Sequence, residues 1–204
     1  ALKTIDEYLD WFTITLQLNV PMVIYTEQNI VAFIEEHRPK AYKTKVIVQK
    51  LDEIPYYRYY NDIKNIIDNP DFHKAMQHPD RIECVLPEYS IIQYSKFEWL
   101  RRTLLENPFD TEYFFWADAG ISRFFGDADI SKPFPSNRTI QFLNSNDGKI
   151  IAQARETLQN MDVLDESFLY TSFNAVIGTL FGGGKEKLII LADEVNKTFE
   201  TCLL

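Results

Sequence analysis

Apolar residues recur at helical spacing from the start of the chain. Ile5, Tyr8, Leu9, Phe12 and Leu16 share one face, and Thr4 with Glu7 makes a capping-box pattern at its head. Pro21–Thr26 is a short apolar run that predicts a buried strand. Ile30, Phe33 and Ile34 predict a second helix ending near His37, Arg38 and Pro39, and Lys45–Gln49 predicts the next strand. Strand, helix and strand in this order predict an α/β fold, an open sheet covered by helices.

The middle of the chain, from Tyr56 to Pro87, is polar, aromatic and broken by prolines. It predicts short helices around Ile63–Ile67 and Phe72–Met76, the second capped by Asp71. A longer helix is expected over Glu88–Leu105, with Phe97, Leu100 and Leu104 on one face, stopping at Asn107-Pro108. The apolar run after that stop predicts a strand ending at Asp118, with Gly120 turning the chain. Phe124–Arg138 reads as an irregular loop, Thr139–Leu143 as a strand, and 149–160 leans towards helix. Phe173–Leu180 predicts a strand running into Gly182-Gly183-Gly184, then a last helix with Leu188, Leu191, Ala192, Val195 and Phe199 inward.

Composition narrows the function classes. The 204 residues fit one domain with a full core. A net charge of −9 argues against nucleic-acid binding and suits a protein that holds divalent cations. Two cysteines, Cys84 and Cys202, make no framework of bridges, so the expected compartment is reducing and cytoplasmic. No apolar run approaches the ~20 residues of a membrane-spanning helix.

Asp118 carries the most chemistry. A carboxylate at the carboxyl end of a central strand points into the crevice where α/β sheets bind ligands, so it is a candidate metal or phosphate-site residue. The plain alternative is a turn or capping aspartate. Asp127 and Asp129 have the spacing of two carboxylates sharing a cation, but they lie in a loop and rank lower. Lys96 sits one position outside the stripe of Phe97, Leu100 and Leu104, where it can bury its stem and extend its ammonium towards the crevice. Arg123 follows closely enough to reach a phosphate or pair with a neighbouring acid. The triple glycine either lets the backbone approach a ligand at a helix N-terminus or forms a tight strand-to-helix turn. His37, His73 and His78 lack ligand spacing, and neither a P-loop, a serine elbow nor a dinucleotide fingerprint is present.

The segment Asn107-Pro-Phe-Asp-Thr-Glu-Tyr-Phe-Phe-Trp-Ala-Asp-Ala-Gly-Ile-Ser-Arg123 resembles the signature of the HtrL/YibB (WlaTC-type) glycosyltransferase-like family. Tyr8-Leu-Asp-Trp-Phe12 and Pro21-Met-Val-Ile-Tyr25 resemble its early part. The Phe181-Gly182-Gly183 turn and following helix are similar to those of the blood-group and α-galactosyl transferases. The resemblance implies a GT-A-like α/β fold: a Rossmann-like, three-layer arrangement with an open mixed sheet and helices on both faces. It also implies a nucleotide-sugar donor, a glycan or other hydroxyl acceptor, and Mn²⁺ or Mg²⁺ at Asp118. Trp116 stands where such enzymes carry the first acid of an Asp-x-Asp pair. Lys96, within Tyr94-Ser95-Lys96-Phe97, and Arg123 are implied to meet the donor phosphates. Gly178, Phe181, Gly182 and Gly183 are implied to line the donor sugar and acceptor. The family pattern has a strand ahead of Ala1 and a segment past Leu204, so the chain reads as a single domain, 1–204, lacking both.

The expected function is a metal-assisted glycosyltransferase. The alternative from another class is a non-catalytic carbohydrate-binding or scaffold domain, with Tyr56, Tyr57, Tyr59 and Tyr60 stacking on sugars or docking a partner. A nucleotidyltransferase is a third reading, weakened because no Gly-rich motif with a Lys or Arg lies near the N-terminus.

Overall fold

The computed structural model describes residues 4–130, 132, 135–154 and 176–203. Its elements in chain order are α1 (Ile5–Leu16), β1 (Met22–Thr26), α2 (Gln28–His37), β2 (Thr44–Val48), α3 (Tyr60–Ile67), α4 (Pro70–Ala75), α5 (Pro87–Glu106), β3 (Tyr113–Ala117), α6 (Asn137–Ser145), β4 (Ile150–Ala154), β5 (Val176–Gly184) and α7 (Lys185–Leu203). The fold is mixed α/β. Where one open sheet is expected, two small ones stand: β1 and β2 pair in parallel, and β3, β5 and β4 form an antiparallel sheet with β5 in the centre.

Local chemistry accounts for most element ends. The Thr4 hydroxyl accepts from the Glu7 amide at 3.2 Å while the Glu7 carboxylate accepts from the Thr4 amide at 2.9 Å. This capping box starts α1 where the pattern places it. At α4 the cap is Asn69, whose side chain accepts from the Asp71 amide at 2.9 Å, and not Asp71 itself. Asn107 ends α5 in the left-handed conformation, with φ 42°. Its amide side chain then spans the turn, accepting from the Thr111 N–H at 2.9 Å and donating to the Thr111 carbonyl at 3.1 Å. That clasp aims the chain directly into β3.

Two expected elements change type. Thr139–Leu143 is helical, within α6, because Ser136 caps the segment and accepts from the Thr139 amide at 3.2 Å. Ile150–Ala154, expected within a helix, is strand β4, and 155–160 lie outside the described residues. The β5 prediction overlaps from Val176 onward, while 173–175 lie outside the described residues.

α5 and α7 pack side by side against the antiparallel sheet. One apolar cluster joins Leu100, Leu104, Phe181 and Leu188 beneath Phe97 and Phe114. A second joins Tyr56, Ile63, Ile67, Ile91, Trp99 and Phe199, with Tyr57, Tyr59 and Tyr60 packed against it. A stack of rings connects the two sheets: Tyr25 of β1 lies 5.3 Å from Trp99 of α5, which lies 6.0 Å from Trp116 of β3 at 8° between planes.

Candidate functional site

Alternation along β3 puts Phe114, Trp116 and Asp118 on one side of the strand, the side that faces α5. Asp118 follows the last residue of β3, and its amide still donates to the Thr179 carbonyl of β5 at 3.0 Å. α5 brings Lys96 to the same place. Its ammonium lies 2.9 Å from Asp118 Oδ1 and 3.2 Å from Oδ2, and donates to the Gly178 carbonyl at 3.3 Å. The Trp116 indole N–H donates to Asp118 Oδ1 at 2.7 Å. Lys96 is only 4% exposed, whereas about a third of the Asp118 side chain, 32%, meets solvent.

The Gly178 carbonyl is free to receive Lys96 because β5 leaves register there. Pairing with β4 jumps from Ala152↔Phe181 to Gln153↔Ile177, so residues 178–180 bulge past β4 without partners in it. A bulge of this kind re-aims backbone groups beside a site. The hydroxyl of the neighbouring Thr179 is buried and has no hydrogen-bond partner.

α1 fastens the far side of the Asp118 turn. Thr15 donates from its hydroxyl to the Ala119 carbonyl at 2.8 Å, and Ser122 donates to the Trp11 carbonyl at 2.7 Å. Gly120 is small for a steric reason: a Cβ there would come within 3.2 Å of Tyr8 Cδ1 and 3.3 Å of Trp11 Cε3. Tyr89 joins the same neighbourhood from α5. Burial pushes its phenol above the ordinary range, and the charges of Glu83 and Asp118 push it further. Tyr89, Gln93 and Lys96 fall at helical spacing on one face, a polar stripe that turns apolar at Leu100 and Leu104. Reading the polar positions of α5 for periodicity, as the apolar ones are read, would have found Tyr89 and Gln93 in the sequence.

The other expected site residues separate. Trp116 belongs to the site as a donor to Asp118. Arg123 lies over aromatic rings, 5.5 Å from the Trp11 centroid and 4.6 Å from that of Phe124. Phe181 is 6% exposed and stacks on Phe97 at 5.2 Å in the core. Gly182 and Gly183 form no turn. They continue β5, opposite Phe115 and Phe114, several residues along the strand pair from Asp118. Their smallness admits neighbouring chain, because a Cβ on Gly182 would fall 2.3 Å from the Phe114 carbonyl oxygen and one on Gly183 2.6 Å from that of Lys149. Gly178 is the glycine beside Lys96. Asp127 and Asp129 are exposed, and Asp129 pairs with Lys132 at 3.8 Å. Tyr56 is 2% exposed and cannot offer a stacking surface.

A family model described as "Bacterial protein of unknown function (HtrL_YibB)" matches residues 2–203. The chain belongs to this family. Comparison with curated proteins and with solved structures finds no match. Among the described residues of this HtrL/YibB protein, no helix is long and apolar enough to cross a membrane.

Among the described residues, no three His, Cys, Asp or Glu side chains gather as a ready metal cage. The donor set is one partly exposed carboxylate at a strand end. That fits a hard cation only of the kind held by one or two carboxylates, with water and substrate phosphate completing its ligands.

Proposed function

We propose that this HtrL/YibB protein is a glycosyltransferase that moves a sugar from a nucleotide-sugar donor to a hydroxyl acceptor, on a GT-A-like arrangement. The observation that carries this reading is the Lys96–Asp118 pair at the carboxyl end of β3, with a lysine 4% exposed. A buried charge is costly and is kept where it is matched. Beside a strand end in an α/β fold, it marks a site for a ligand bearing charge of its own.

In this reading Asp118 is the residue that would hold Mn²⁺ or Mg²⁺. The cation, when bound, supplies Lewis-acid neutralisation of the leaving diphosphate. Lys96 contributes a fixed positive charge in a site largely closed to water, where it acts more strongly than at a surface. Trp116 orients the carboxylate through its N–H. The Asn107–Thr111 clasp and the ties from α1 hold the Asp118 turn from both ends, so the carboxylate needs little reorganisation when substrate arrives.

The test is release of UDP or GDP from UDP- and GDP-sugars in Mn²⁺, measured without acceptor. Slow hydrolysis of one donor is expected, and Asp118→Ala should lower it by about 10²-fold or more. If no nucleotide-sugar is bound or hydrolysed, the reading is wrong.

A further inference from the structure

We propose that the Lys96–Asp118 ion pair is a lock that a divalent cation and a nucleoside diphosphate open only together. The proposal rests on the glycosyltransferase reading and adds how binding at its site is regulated.

The geometry closes the site to either ligand alone. An ammonium has three N–H donors, and Lys96 has three acceptors within reach: Asp118 Oδ1 at 2.9 Å, Oδ2 at 3.2 Å and the Gly178 carbonyl at 3.3 Å. Asp118 Oδ1 also receives the Trp116 N–H at 2.7 Å. A lone cation approaching Asp118 meets an ammonium already in place. A lone diphosphate approaching Lys96 meets a carboxylate. The cation would have to separate the pair and leave the Lys96 ammonium, 4% exposed, without a counter-charge, and the diphosphate would set its own negative charge against the Asp118 carboxylate; both are unfavourable.

Joint arrival removes that obstacle. The cation replaces Lys96 at the carboxylate, the diphosphate replaces Asp118 at the ammonium, and no charge is left unmatched. Thr179 adds to the argument. Its hydroxyl is buried without a partner, next in sequence to the carbonyl that anchors Lys96, and is a spare acceptor when the ammonium leaves Asp118. Linkage requires the effect to be reciprocal: the cation tightens the nucleotide by the factor by which the nucleotide tightens the cation.

The experiment is calorimetry of UDP and GDP in EDTA and in Mn²⁺, with Mn²⁺ binding followed separately by electron paramagnetic resonance. Wild type should bind one nucleotide at least about tenfold more tightly with Mn²⁺ than without. Asp118→Asn frees Lys96, so the metal-free affinity should rise above that of wild type and the Mn²⁺ dependence disappear. Lys96→Met frees Asp118, so Mn²⁺ alone should bind more tightly than to wild type. Thermal melting checks that each variant is folded, and the wild-type comparison stands without them. An Asp118 that were simply a metal ligand would only weaken binding when changed, and that outcome overturns the lock. So does wild-type affinity that is equal with and without Mn²⁺. If wild type binds neither nucleotide under any condition, the glycosyltransferase reading fails and takes the lock with it.

Discussion

Asp118 was legible in the sequence because an apolar run fixed it at a strand end, and Lys96 because it sat one step off an apolar stripe. The triple glycine was legible only as an unusual place. Whether it turned the chain or lay within a strand depended on Phe114, Phe115 and Lys149 crowding against it, and those neighbours are more than 30 positions away in the chain. The two kinds of glycine in β5 should therefore respond differently to alanine. At Gly182 the added carbon meets backbone and ring at 2.3 Å, so Gly182→Ala should cost about 3 kcal/mol in urea unfolding. At Gly178 it meets nothing within 4 Å, and Gly178→Ala should change stability by less than about 1 kcal/mol. Equal effects at the two positions would contradict the packing described.

Among the elements, α1, α2 and α5 were readable because apolar periodicity and stops agreed, with a capping box added at α1. α6 and β4 were not: the Thr139–Leu143 run suits a helix face or a strand equally well until Ser136 caps it, and Ile150–Ala154 is a strand through its pairing with β5. Arg38 is the plainest case of a role hidden from local reading. It follows α2 beside Pro39 and looks like a helix end. In the fold it is 5% exposed and its guanidinium donates to the carbonyls of Leu16 at 2.8 Å, Leu18 at 2.6 Å and Val20 at 2.6 Å, and to the Thr44 hydroxyl at 2.9 Å. Burial lowers its pKa from the ordinary range. This one fork satisfies the end of α1 and the entry to β1 together. Arg38→Met should destabilise by about 3 kcal/mol or more, because several carbonyls lose their donor at once. Arg38→Lys should recover little of this in the same denaturation assay, since an ammonium cannot reproduce a planar fork.

For the molecule as a whole, mixed α/β character followed from the order of elements, but the division into two sheets did not. Pairing of β3 with β5 and of β5 with β4 joins distant segments, and no local pattern records such partners. The pH response is likewise a property of the assembled core. Burial pushes the Tyr56 phenol up to about 12, with Glu98 and Tyr59 adding to the shift. A folded value above the unfolded one means that this contribution is complete below pH 10 and is lost as pH climbs through the folded value. Melting temperature should thus fall steeply between pH 10 and 12, with Tyr56 responsible for roughly 2 kcal/mol of the loss. Tyr56→Phe should flatten that decline while lowering stability at neutral pH by about 1 kcal/mol, through the lost bond to Asn196. An unchanged alkaline profile would rule out the assignment.

The three stacked rings between the sheets have a mechanical meaning. The column is pinned as well as stacked: the Tyr25 phenol donates to the Trp99 carbonyl at 3.1 Å and the Trp99 indole N–H donates to Gln49 at 2.7 Å. Trp116 is the last ring in that column, and it grips the acid by a single N–H. Removing a ring from the column therefore loosens the seat of Trp116, and with it one of the bonds that fix the carboxylate.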